Sequence, residues 1–161
     1  MNGTPDRRAF LGATAATATG LLAGCGGTGG PDDSDSSSPS ATGGEQPTVE
    51  EYLSGTANYD GTVQDETGSD SVTVDVGAEG NGSDFAFSPA AVRVSTGTTV
   101  RWVWTGAGGN HNVVDERDAF RSKLVATEGH EFEHTFEASG RFLYFCQPHR
   151  TNGMKGAIVV E

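Results

Sequence analysis

Cys146, His149 and Met154 stand within nine residues of one another, in Cys146-Gln147-Pro148-His149-Arg150-Thr151-Asn152-Gly153-Met154. A thiolate, an imidazole and a thioether this close can be aimed at one centre by a single turn between two strands. A fourth donor, His111, lies 35 residues upstream in Gly108-Gly109-Asn110-His111-Asn112-Val113-Val114. Ligand softness then selects the metal. Two neutral nitrogens and a thiolate in a trigonal set, with a weak thioether on the axis, suit both Cu(I) and Cu(II), whereas structural zinc prefers four strong donors and seldom takes Met. One copper per chain is therefore the expected cofactor. With all four positions taken by protein, none is open to a substrate, which points to one-electron transfer and away from an enzyme.

Other uses of the same residues compete. Cys146 and His149 have the types of a nucleophile and its base, but no third orienting group or substrate-handling loop accompanies them. Cys146 alone would be a buried free cysteine and Met154 alone a core residue; the shared spacing is what promotes both. Copper delivery or storage is the alternative function. It calls for an open, exchangeable site rich in Met or Cys, and the chain holds two residues of each. His130 and His134 are a poor second metal pair, because four residues along a strand span roughly 13 Å. They share a face with Phe132 and Phe136 and read as edge or half-buried histidines.

The elements that must position the ligands have a period of two. Residues 72–76, 91–94, 98–104, 131–136, 141–145 and 157–160 alternate or run apolar as strands do, and glycines at 97, 106, 108, 109, 129, 140 and 153 punctuate them. His111 follows a strong strand and precedes a short one. Trp102 and Trp104 share one strand face and belong in a core. A single short helix is expected from the capping-box spacing of Thr48-Val49-Glu50-Glu51, running through Leu53. Short strands with no long amphipathic helix favour an all-β, two-sheet sandwich of Greek-key type over residues 48–161. Asn81-Gly82-Ser83 has the pattern of an N-glycosylation acceptor, short enough to arise by chance.

The first third of the chain reads differently. Asp6-Arg7-Arg8-Ala9-Phe10-Leu11-Gly12 resembles the start of a twin-arginine export signal, and Leu22-Ala23-Gly24-Cys25 resembles a lipobox, so residues 1–24 are expected to be a signal and Cys25 a lipid-bearing N-terminus. Ala9–Gly24 counts 16 residues, short of the roughly 20 a membrane helix requires. Residues 25–47 then form a flexible acidic linker with nothing large enough to build a core. Ten Lys and Arg against 22 Asp and Glu give a net charge of −12, which excludes nucleic acid as a partner and suits a surface kept hydrated in concentrated salt. A disulfide between Cys25 and Cys146 is not expected, since each cysteine has its own chemistry.

The stretch Tyr144-Phe145-Cys146-Gln147-Pro148-His149 through Gly153-Met154, with His111-Asn112-Val113-Val114, resembles plastocyanin and pseudoazurin. With Gly97-Thr98-Thr99-Val100, Phe85-Ala86-Phe87-Ser88-Pro89, the acidity and the leader, the chain is most similar to the halocyanins of salt-loving archaea, over about residues 50 to 161. The resemblance implies a monomeric, cupredoxin-like blue copper domain. Cys146, His111 and His149 would be equatorial ligands and Met154 the axial one. The Asn112 N–H would hydrogen-bond the Cys146 sulfur, and its side chain would tie the two ligand loops together. His149 would be the electron port, where membrane-bound redox complexes or other electron carriers dock briefly. The domain would sit at the outer face of the cytoplasmic membrane, held by lipid on Cys25. The segment before Ser71 has no counterpart in plastocyanin.

Overall fold

Thr48 starts the helix in the way its spacing predicts. Its Oγ1 accepts from the Glu51 N–H at 3.2 Å while Glu51 Oε2 accepts from the Thr48 N–H at 2.8 Å, so two orphan donors of the first turn satisfy each other's residues. The computed structural model describes residues 46–161; the twin-arginine segment, Cys25 and the linker up to residue 45 lie outside the described residues. Helix α1 (Val49–Leu53) is one turn and a half, too short to be stable by itself. Packing holds it: Leu53 is fully enclosed and Tyr52 nearly so, against Ala90, Ala91, Leu143 and Ala157.

Nine strands follow: β1 (Gln64–Asp65), β2 (Ser71–Gly80), β3 (Ser83–Ser88), β4 (Ala91–Val94), β5 (Thr99–Trp104), β6 (Val114–Asp115), β7 (Glu131–Thr135), β8 (Gly140–Phe145) and β9 (Lys155–Val160). They form a five-stranded sheet in the order β1-β4-β9-β8-β6 and a four-stranded sheet in the order β3-β2-β5-β7. The chain changes sheet at most of its connections, and the expected all-β Greek-key sandwich is the fold observed. Between the sheets, Val72, Val74 and Val76 of β2 lie beside Val100, Trp102 and Trp104 of the parallel strand β5. Trp102 is fully buried and meets Tyr144 of the opposite sheet edge to face, with ring centroids 5.4 Å apart.

Three departures from the strand pattern have identifiable causes. β2 runs past Val76 because an extra residue at Gly77 makes a bulge: the register jumps from Val76↔Phe87 to Ala78↔Ala86. β3 was not among the expected strands; it pairs back on β2 through the two-residue loop Asn81-Gly82, where φ is 58° and 87°, the twist a primed hairpin turn requires. On β9 the alternation fails because both faces of the five-stranded sheet are covered. Ile158 enters the core between the sheets while Ala157 lies under α1. The loops after β5 and β8, together with the β2–β3 hairpin, meet at one end of the sandwich.

Candidate metal centre

His111 sits in the loop after β5 with its backbone pinned from both sides. Its N–H donates to Val125 O at 2.8 Å, and its carbonyl accepts from Val125 N–H at 3.0 Å and from the Trp104 indole Nε1–H at 3.1 Å. The ring is pinned as well. Nε2 is 3.0 Å from the Ala107 carbonyl, which can only accept, so Nε2 carries the proton and Nδ1 keeps its lone pair. Gly108 makes the approach possible at φ 74°: a Cβ there would strike the Asp84 carbonyl oxygen and stand 2.7 Å from His111 Nε2. His111 is completely buried.

The other donors come from the turn that closes β8 onto β9. Cys146 N–H donates to Met154 O at 3.0 Å, and Met154 N–H to His149 O at 3.2 Å, so the loop is tied at its base. Inside it, Arg150–Asn152 form a single 3-10 turn that swings His149 back toward Cys146. His149 is half-buried, and its ring stacks on Phe85 of β3 with centroids 4.1 Å apart and planes 16° from parallel. Arg150 lies over the Phe145 ring at 4.2 Å and pairs with Glu116 at 2.7 Å, which in turn accepts from Tyr52 Oη–H at 2.8 Å.

Cys146 Sγ lies 3.6 Å from His111 Nδ1 and 3.4 Å from His149 Nδ1, and the two nitrogens are 3.1 Å apart. A triangle of those sides has its centre about 2 Å from every corner, close to the roughly 2.0–2.3 Å of imidazole and thiolate bonds to a transition metal. The chemistry of the three groups asks for a cation at that centre. Two imidazole lone pairs face each other beside one thiol, whose single proton can satisfy only one of them; a metal ion satisfies all three. Met154 is fully buried in the same cluster as Cys146. Among the described residues this is the one grouping of three or more His, Cys, Asp or Glu able to hold a metal.

The ionisation of the donors is prepared by burial. Desolvation pushes the Cys146 thiol up, and the backbone N–H groups of Asn112 and His149 pull the other way. Desolvation also lowers His111 and His149, so both rings are neutral near pH 7. The Asn112 side chain bridges the two ligand loops: its Oδ1 accepts from the Gln147 N–H at 2.8 Å.

His111, Cys146, His149, Met154 and Asn112 thus come together at one end of the sandwich, and Cys25 lies outside the described residues. His130 and His134 are half-buried on β7 and its approach, the first against Trp104 and the second between Phe120 and Phe136. Phe85 and Asn81 were missed as parts of the site. Asn81 donates through Nδ2 to Phe85 O at 2.6 Å and Gly153 O at 3.1 Å, so the nitrogen that a glycan would occupy is already engaged. The signal that could have found it is Asn81-Gly82 itself, the strongest short-range mark of a hairpin.

A two-sheet sandwich with a His–Cys–His triangle and a buried Met beside it at one end defines the class of blue copper proteins. The chain belongs to the plastocyanin/azurin family of copper binding proteins, whose model matches residues 72–161. It is 56% identical over 106 residues to halocyanin from Natronomonas pharaonis, covering 64% of each chain. To plastocyanin from Scenedesmus fuscus it is 35% identical over 100 residues, covering 56% of this chain and 99% of that one. Pseudoazurin from Methylobacterium extorquens, among solved structures, is 29% identical with a TM-score of 0.46, over 56% of this chain and 75% of that one.

Proposed function

We propose that this protein is a one-electron carrier in which His111, Cys146, His149 and Met154 would hold a copper ion. The triangle of donors 3.1–3.6 Å apart, neutral on two corners and soft on the third, is the observation that carries the reading. Copper bound there supplies a single electron by cycling between Cu(I) and Cu(II). The protein's part is rigidity. His111 is fixed by Ala107, Val125 and Trp104, and Cys146 by the Met154 carbonyl, so the donors keep one compromise geometry while the electron arrives and leaves. His149 alone reaches the surface and gives the electron its way out, and partners dock briefly around it.

The test is a visible spectrum of the oxidised, copper-loaded chain with the metal counted. One copper per chain and an intense band from thiolate-to-copper charge transfer are expected. Cys146→Ser should abolish the band while the sandwich still melts cooperatively, because most of the core, Trp102, Tyr144 and the valines of β2 and β5 among it, is apolar packing that takes no part in holding a metal. A band that survived in the Ser variant would remove Cys146 from the ligand set.

The reading extends to location: the domain works at the outer face of the cytoplasmic membrane, attached through lipid on Cys25 and passing electrons between membrane-bound redox proteins. Leu22-Ala23-Gly24-Cys25 and the linker after it support this. A surface with net charge −12 would not hold an anionic membrane by itself. Cys25→Ser should move the protein from the membrane fraction to the soluble one, and unchanged partition would end the anchoring idea.

A further inference from the structure

The peptide bond that leads into Met154 is held from outside the ligand loop. Gly153 O, the carbonyl bonded to Met154 N, accepts from Thr56 Oγ1–H at 2.9 Å and from Asn81 Nδ2–H at 3.1 Å, which engages both of its lone pairs. Gly153 stands at φ 93°, and a Cβ there would strike the Gly55 carbonyl oxygen and come within 2.9 Å of Asn81 Oδ1, so the backbone of residue 55 lies directly on the loop. Asn81 Oδ1 in turn accepts from the Ala57 N–H at 2.7 Å. Thr56 is 4% exposed, so without Gly153 its hydroxyl would be left buried and unpartnered.

We propose that Thr56 and Asn81 are positioning residues for the axial donor: by fixing the Gly153 carbonyl they set how closely the Met154 thioether approaches the metal. The proposal rests on the reading of Met154 as the axial ligand. The backbone bonds of Met154 itself run only to His149 and Cys146, within the same turn, and would let the turn move as a unit. Thr56 and Asn81 tie it to the body of the domain. The Asn81 amide also holds the Phe85 carbonyl, and the Phe85 ring stacks on His149, so one side chain links the axial peptide to the neighbour of the exposed equatorial ring. Thr56 lies outside residues 72–161, the part of the chain that the family model matches. A thioether is a weak donor whose contribution falls off with distance, and it stabilises Cu(II) more than Cu(I). A looser grip on residue 153 therefore favours Cu(I).

The experiment is voltammetry on the copper-loaded full chain as wild type, Thr56→Val, Thr56→Ser, Asn81→Ala, Met154→Leu and the Thr56→Val/Met154→Leu double variant, at one pH and salt concentration. Thr56→Val and Asn81→Ala should raise the reduction potential, Thr56→Ser should keep the wild-type value, and Thr56→Val should add nothing once Met154 is Leu. In the copper-free chain, hydrogen exchange at the Met154 amide should be roughly fivefold faster in Thr56→Val, the factor that one ordinary hydrogen bond supports. Wild-type potentials in both Thr56→Val and Asn81→Ala would overturn the proposal, even if both variants melted lower. An equal Thr56→Val shift in the Leu background would overturn it too, by showing an effect that bypasses Met154. A Met154→Leu potential equal to wild type would instead remove the axial reading, and this proposal with it.

Discussion

The two histidines of the triangle do the same chemistry and are held by opposite means. His111 lies at the closed side of the site, completely buried, with hydrogen bonds on its N–H, its carbonyl and its ring Nε2. His149 lies at the open side, half-exposed, on a loop one turn long, and its ring is steadied by the Phe85 face. Directional bonds fix the enclosed donor. Stacking, which resists tilt but leaves a ring edge free, supports the donor at the surface. A metal site that has to be both rigid and reachable can divide those duties between its ligands, and here the division follows depth.

Replacing each ring by glycine should break the comparison most sharply. His111→Gly leaves an enclosed cavity and is expected to cost about 2–5 kcal/mol of fold stability, whereas His149→Gly opens the site to solvent and should cost about 1 kcal/mol. Both should lose the visible band. Added imidazole should restore it in His149→Gly and not in His111→Gly, followed by absorbance during titration; equal rescue would mean that the two sides are equally open.

The next largest effect is on copper uptake as pH changes. Burial holds the Cys146 thiol protonated and both imidazoles neutral near neutrality, so binding must expel one proton, from the thiol. Affinity should therefore rise about tenfold per pH unit between the lowered imidazole range and the raised thiol range. Below the imidazole range two more protons compete and the dependence should steepen. Competition against a chelator of known affinity at several pH values measures this, and a flat profile would mean that the thiol is already ionised.

Phe85→Leu is the mildest probe. It keeps an apolar side chain but removes a stack worth about 0.5–1.5 kcal/mol, so copper loss to a chelator should quicken roughly two- to tenfold with the melting curve little changed. An unaltered rate would show that the loop alone orients His149, making the open side as firmly built as the closed one.

Much of this site is legible in the sequence because its chemistry is local. Cys146, His149 and Met154 fall in one turn, and Thr48 and Glu51 announce the helix within four residues. Strands β5 and β7 follow the alternation that predicts them. The illegible parts are those created by packing. Consecutive buried residues Ala157 and Ile158 make sense only when α1 covers the far side of the sheet. β1 has two exposed residues and no pattern of its own. Thr56 and Asn81 meet Gly153 from 97 and 72 residues away, a separation across which no spacing rule operates. Asn81-Gly82 is visible in the sequence, and its backbone preference for a hairpin turn is a stronger message than the chance modification pattern it forms with Ser83.

The helix over the five-stranded sheet bears on where this domain can be divided. Residues matched to the family begin at 72, yet Leu53 and Tyr52 close an apolar socket of Ala90, Ala91, Leu143 and Ala157. A chain started at residue 72 would keep every metal donor and lose that lid. It would show a contiguous greasy face beside the short edge strand β1's partner, β4, the combination that invites sheets to join edge to edge and come out of solution. The boundary of a recognisable sequence pattern and the boundary of a soluble unit therefore differ here by at least a helix.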